Sequence, residues 1–133
     1  PKTGLSSELD ALAMYSTSLN TPLPSPFAEP ENGYDVFVAA GCVDCHPSPL
    51  FTDSSLTNPL RHDIGTASNA SGQRLGFELD GFDTPTLLGV WNTAPYLHDG
   101  SVTTIEEAIL AHDGTENIAT EDLITLVDFV QSL

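Results

Sequence analysis

The side chains best placed to do chemistry stand in one five-residue run, Cys42-Val43-Asp44-Cys45-His46. These are the only two cysteines among the 133 residues. A disulfide between them would close a tiny loop and staple little. As zinc ligands they are half a set, with no second pair. A thioredoxin-like redox site needs a helix after the second cysteine, and Pro47 and Pro49 stop one there. With His46 the run is C-x-x-C-H, the pattern for covalent attachment of a c-type haem. Two thiols at this spacing reach the two vinyl groups of one macrocycle as thioethers. The adjacent histidine is then pinned beneath the iron as its proximal ligand. Attachment of this kind is made outside the cytoplasm, so a periplasmic or extracellular location is expected, with an export signal removed or lying upstream.

The opposite face of the iron needs a ligand from elsewhere in the chain. Met14, His62, His98 and His112 are the candidates. Met14 precedes the haem motif and reads as an apolar residue of a helix. His112 is preferred. It shares a helical stripe with Ile105, Ala108 and Ile109, and Asp113-Gly114 follows as a stop. Two histidines on the iron give a lower potential than a histidine and a methionine. His98, in the turn Tyr96-Leu97-His98-Asp99-Gly100, ranks second as a ligand and otherwise bonds to backbone or to a haem propionate. His62 reads as a loop histidine or propionate neighbour. Arg61 and Arg74 are the only arginines and are natural partners for the propionates. Trp91, Phe77 and Phe82 are read as the matrix around the haem that tunes its potential.

Helices must position these groups. Residues 6–19 read as an amphipathic helix capped by Ser6 or Ser7, with Leu5, Leu9, Leu12, Ala13 and Leu19 on its apolar face. Residues 20–30 hold four prolines and read as an extended linker. A second helix over 31–40 runs into the haem motif. Residues 47–103 are mostly loop, a length that suits chain wrapped around a large apolar cofactor. A third helix spans 104–112, with capping-box spacing at Thr103/Glu106 or Thr104/Glu107. The last spans about 120–133, capped by Thr120, with Leu123, Leu126, Val127, Phe129 and Val130 as its buried face. Residues 6–19 and 120–133 match at Leu9/Leu123, Leu12/Leu126, Tyr15/Phe129, Ser18/Ser132 and Leu19/Leu133. The first helix thus reads as the closing helix of another haem domain, or as a docking arm kept by a single-haem unit. The expected division is 1–30, a helical arm with its proline-rich linker, and 31–133, a mono-haem cytochrome c domain.

Composition narrows the partners. Three Lys and Arg stand against 19 Asp and Glu, a net charge of −16. Nucleic acid is excluded, because almost nothing is available to neutralise phosphates. An anionic membrane surface is disfavoured likewise, and no apolar run approaches a membrane span. Redox partners are expected to be basic or to dock through apolar contacts. Solubility in strong brine is a second reading of the same charge.

Six segments occur in order: Gly33-Tyr34-Asp35-Val36-Phe37; Cys42–His46; Asp63-Ile64-Gly65-Thr66; Phe82-Asp83-Thr84-Pro85-Thr86-Leu87; Ala94-Pro95-Tyr96-Leu97-His98-Asp99-Gly100; and Thr104-Ile105-Glu106-Glu107-Ala108-Ile109. Over residues 27–133 the series resembles the C-terminal haem domain of the bacterial di-haem cytochrome c peroxidase family, which includes the methylamine-utilisation di-haem enzymes. The resemblance implies a mostly α, class I cytochrome c fold with long haem-wrapping loops, here with an extra N-terminal helix and proline-rich linker. It implies that the helix bearing Gly33 and Phe37 crosses the last helix near Phe129. It makes His46 the proximal ligand, places the family's distal ligand at His112, and puts Pro85 at the haem. The family's inter-domain calcium site uses a Thr side chain and a Pro carbonyl that match Thr93 and Pro95, with another protein ligand from the family's first domain. The arginine that follows Thr-Pro-Thr-Leu in the family is Leu88 here. Family peroxidases work with two haems, whereas this sequence has one motif. Electron transfer through one six-coordinate haem c is therefore the favoured function, with a neighbouring haem domain or a redox protein as partner. A di-haem peroxidase or oxidase domain acting on hydrogen peroxide is the second reading. The third is a subunit of an oligomeric or filamentous electron conduit, assembled through residues 1–30.

Overall fold

A computed structural model describes residues 6–19, 23–55, 57 and 60–133; the side chains of Asn69 and Arg74 lie outside the described set. The described residues contain four α-helices: α1 (Ser7–Ser18), α2 (Gly33–Ala39), α3 (Ile105–Leu110) and α4 (Thr120–Ser132). One small antiparallel hairpin, β1 (Gln73–Arg74) and β2 (Phe77–Glu78), interrupts the long loop region. Short 3-10 turns cover Cys42–Asp44, Asn69–Ser71 and Val90–Asn92. The mostly α class expected from the sequence holds.

The core forms where α2 and α3 pack on α4. Phe37, Phe51, Ile105, Leu126, Phe129 and Val130 are its buried apolar residues. Phe37 and Phe129 meet with ring centroids 5.2 Å apart, and Phe51 closes on both edge-on at 5.9 and 6.1 Å. Gly33 is what lets α2 approach so closely. A Cβ there would lie 2.8 Å from Pro30 Cγ and 2.9 Å from Phe129 Cδ2. The crossing near Phe129 is thus where the resemblance places it.

Local chemistry sets the helix ends. Ser6 Oγ accepts from the Leu9 N–H at 3.3 Å and starts α1. At α3 the working capping box is Thr104 with Glu107. Thr104 Oγ1 accepts from the Glu107 N–H at 3.1 Å, and Glu107 Oε2 accepts from the Thr104 N–H at 3.1 Å. Two sequence expectations shift. The N-cap of α4 is Ala119, with no side-chain cap, and Thr120 is already helical. Three buried side chains hold that helix to the core, and such packing is what supports most protein helices. The helix expected over 104–112 ends at Leu110 with Ala111 as its cap, so His112 sits in the turn beyond.

α1 differs from the rest. None of its residues is buried. Leu9, Leu12, Tyr15 and Leu19 are 50–63% exposed, whereas their matches Leu126 and Phe129 on α4 are 1% and 2% exposed. Residues 20–22 of the expected linker lie outside the described residues. The remainder of the linker is attached to the body. Ser25 Oγ donates to the Gln131 carbonyl, and Phe27 meets Trp91 edge-on at 6.4 Å.

Candidate haem centre

The C-x-x-C-H run follows directly from α2. Gly41, at φ +79, reverses the chain, and Cys42–Asp44 winds as a 3-10 turn closed by the His46 N–H donating to the Cys42 carbonyl at 2.9 Å. Cys42 and Val43 pack against the aromatic core. Both cysteines are free thiols. Burial pushes both above the ordinary thiol range, with the Asp53 and Asp44 charges adding to this at Cys45. A thiol raised in this way is a poor nucleophile for redox exchange.

His46 is half-buried, and its Nδ1 lies 2.9 Å from the Phe51 carbonyl. A carbonyl accepts only, so Nδ1 carries the proton and Nε2 is the nitrogen left to bind a metal. Phe51 reaches this pose at φ +50, unusual for a bulky residue. Its ring is locked in the core while its carbonyl turns to His46. Burial, reinforced by the nearby His112 and opposed by the Phe51 hydrogen bond, holds His46 below the ordinary histidine range. It is therefore neutral at pH 7, the form a metal needs.

His112 has the same internal arrangement. Its Nδ1 is 2.8 Å from the Ala108 carbonyl, which again leaves Nε2 for a ligand role. Thr115 Oγ1 donates to the His112 carbonyl at 2.8 Å and fixes the turn. The two imidazoles lie close enough for a charge on His112 to disfavour protonation of His46.

The other expected site residues fall in several places. His62 hydrogen-bonds through Nε2 to Asp53 Oδ2 at 2.7 Å, and its backbone pairs with Phe82. Asp53 in turn donates its N–H to the Cys45 carbonyl at 3.0 Å. The Thr84 hydroxyl first, and then His62, hold the Asp53 carboxyl below its ordinary range. His98 stacks on Phe82 at 3.8 Å and meets Ser71 Oγ at 3.2 Å. Arg61 is engaged by Asp80, Nε to Oδ1 at 2.9 Å, on the surface. The Arg74 side chain lies outside the described set. Pro85 is exposed, and Phe77 is 76% exposed on β2. Trp91 is half-buried, with Nε1 buried and unpaired among the described residues. Thr93 Oγ1 donates to the Val90 carbonyl at 3.1 Å, and Pro95 is exposed. Met14 is 73% exposed on α1.

Sequence reasoning missed Phe51, Asp53 and Thr84. Phe51 contributes a backbone carbonyl, which no side-chain pattern announces. Asp53 and Thr84 are brought together from 31 positions apart in loops without periodicity.

Two free thiols with two residues between them, followed by a neutral histidine with Nε2 available, fit the requirements of a covalently attached haem. Comparison with known proteins agrees. Residues 81–114 match the family described as RoxA-like, cytochrome c-like. Cytochrome c551 peroxidase of Nitrosomonas europaea is 35% identical over 82 residues, covering 58% of this chain and 25% of that protein. Methylamine utilization protein MauG of Methylophilus methylotrophus is 34% identical over 90 residues, covering 63% and 25%. The chain is thus similar to proteins of the di-haem cytochrome c peroxidase and MauG family, as the sequence segments suggest. It spans about a quarter of the length of these two curated relatives. A solved structure of Kuenenia stuttgartiensis hydrazine synthase shares the fold, with TM-score 0.74 and 24% identity, covering 94% of this chain and 55% of that one. The cytochrome c-like match, these relatives and the motif together imply a c-type haem. Among the described residues no helix is long and apolar enough to cross a membrane.

Proposed function

We propose that the chain is an electron-transfer domain working through one haem c, which Cys42 and Cys45 would attach and His46 and His112 would hold. One observation carries this reading: both histidines tie Nδ1 to a main-chain carbonyl, at 2.9 and 2.8 Å, and keep Nε2 for the iron. Such a second partner fixes the tautomer and ring orientation and raises ligand basicity. The bound haem supplies a one-electron Fe(III)/Fe(II) couple. The protein's part is to hold both rings, keep His46 neutral and exclude water from the core side through Phe37, Phe51 and Phe129. With His46 and His112 both bound to it, the iron would have no place for peroxide, so the domain would pass electrons rather than turn peroxide over. Covalent haem attachment, which is made outside the cytoplasm, supports a periplasmic or extracellular location.

The test is the spin state of the haem-loaded chain. A low-spin ferric spectrum without a methionine–iron charge-transfer band is expected, converting to high spin in His112→Ala. A high-spin ferric state in the unchanged chain, with rapid peroxide reaction, overturns the reading.

A second observation concerns the partner. α1 carries the apolar pattern of α4 but buries none of it. We infer that Leu9, Leu12, Tyr15 and Leu19 pack on a neighbouring cytochrome c unit as α4 packs on α2. Sedimentation of the chain with and without residues 6–19 tests its self-associating form. An unchanged association state counts against that form.

A further inference from the structure

The segment Asp63-Ile64-Gly65-Thr66 stood out in the sequence, and nothing in the proposed function uses it. In the structure Asp63 Oδ1 accepts three backbone N–H groups, from Gly65 at 3.0 Å, Thr66 at 3.1 Å and Ala67 at 3.0 Å. One carboxylate oxygen thus winds residues 63–67 into a tight turn. Gly65 sits at φ +90, a conformation that a side chain disfavours. The turn faces the segment that follows His112. The Asp113 N–H donates to the Ile64 carbonyl at 3.3 Å. The Asp113 carboxylate occupies the space a Gly65 Cβ would take, 2.5 Å from its ideal position. On its other side His112 is held by the Ala108 and Ile109 carbonyls, through Nδ1 at 2.8 Å and its N–H at 3.1 Å.

We propose that the Asp63–Ala67 turn positions His112, with Asp63 as the positioning residue and the Ile64 carbonyl as its point of contact on Asp113. The proposal rests on His112 as the axial ligand. α3 ends before His112, so helical hydrogen bonding alone does not complete the restraint of that residue. The turn supplies what the helix lacks. A ligand on a short tether tolerates little displacement, because metal–histidine bonds have narrow geometry.

The experiment uses the haem-loaded chain and reads spin state by absorption and electron paramagnetic resonance. Asp63→Ala removes all three acceptor contacts without adding an atom. A high-spin fraction approaching that of His112→Ala is expected. Asp63→Asn keeps an oxygen able to accept the same N–H groups, so it should stay low-spin. Gly65→Ala, strained at φ +90, should follow Asp63→Ala. If Asp63→Ala remains low-spin while His112→Ala becomes high-spin, the positioning role is refuted and the ligand assignment stands. If His112→Ala itself remains low-spin, both are refuted. A loss of thermal stability in Asp63→Ala without a change of spin state also refutes the proposal, because that is what a merely structural turn would show.

Discussion

The close approach of α2 to α4 at Gly33 gives the sharpest prediction. Replacing Gly33 by Ala puts a methyl group 2.8 Å from Pro30 Cγ and 2.9–3.0 Å from Phe129. Carbon atoms prefer about 3.5–4.0 Å, so Phe129 has to give by roughly 0.6–1 Å. It cannot give freely, being 2% exposed and in contact with Tyr34, Phe37 and Phe51. Overpacking of this kind costs about 1–3 kcal/mol. Against it stands the helix preference of Ala over Gly, up to about 1 kcal/mol in a helix interior and less at the first residue of α2. The net expectation is a loss of about 1–2 kcal/mol. Urea unfolding of the haem-loaded chain, followed by circular dichroism, should show a lower midpoint at unchanged slope. Phe129→Leu in the Gly33→Ala background should recover part of the loss, giving a coupling of about 0.5–3 kcal/mol in a double-mutant cycle. Because Phe51 bridges this cluster and His46, the haem potential should also move. A Gly33→Ala chain as stable as the parent, or strict additivity with Phe129→Leu, refutes the packing argument.

Other consequences are direct. Phe129→Ala should cost about 3–5 kcal/mol by the same unfolding assay. Thr104→Ala removes one side of the α3 capping box and should cost about 1 kcal/mol; a loss below experimental error would show that core packing alone holds α3. The Asp53 carboxyl is held low in the fold, so its contribution is present at neutral pH and disappears as pH falls through its depressed value. The urea midpoint should therefore drop below about pH 4, and Asp53→Asn should flatten that drop; parallel profiles would refute the assignment. With a net charge of −16, stability should rise between 0.1 and 1 M salt, where the Debye length falls from about 10 to 3 Å; a flat thermal midpoint would refute this. Blocking attachment with Cys42→Ala and Cys45→Ala should abolish cooperative unfolding, as read by calorimetry.

The parts legible from sequence were those with short-range signals. The C-x-x-C-H run carries its chemistry in five residues. The 3.6-residue stripe of α4 named Leu126, Phe129 and Val130 correctly as core. Glu107 three residues after Thr104 identified the α3 start, although an adjacent pair had the same spacing. Long-range pairings were not legible. Arg61 meets Asp80, and His62 meets Asp53, because loops without periodicity bring them together. The α3 boundary was overextended because the apolar stripe runs on to His112, whereas the helical hydrogen bonds stop at Ala111. The exposure of α1 could not be read at all, since a helix carries the same stripe whether or not its partner is near.

The arrangement of the two histidines follows from a shared support rather than from either ligand loop alone. Phe51 places its ring against Phe37 and Phe129 and its carbonyl against His46, so the proximal ring is referenced to the α2–α4 crossing. α3 lies on α4 through Ile105 and Ile109 and presents the Ala108 carbonyl to His112, so the opposite ring is referenced to the same helix. α4 contributes neither histidine, yet it sets the relative position of both. The α2–α4 contact, built on Gly33, Phe37 and Phe129, therefore supports both histidines at once. It also gives the pattern shared with α1 its meaning. On the proposal that α1 packs on a neighbouring cytochrome c unit, a helix that keeps the apolar code of α4 and buries none of it is the face on which such a unit would sit.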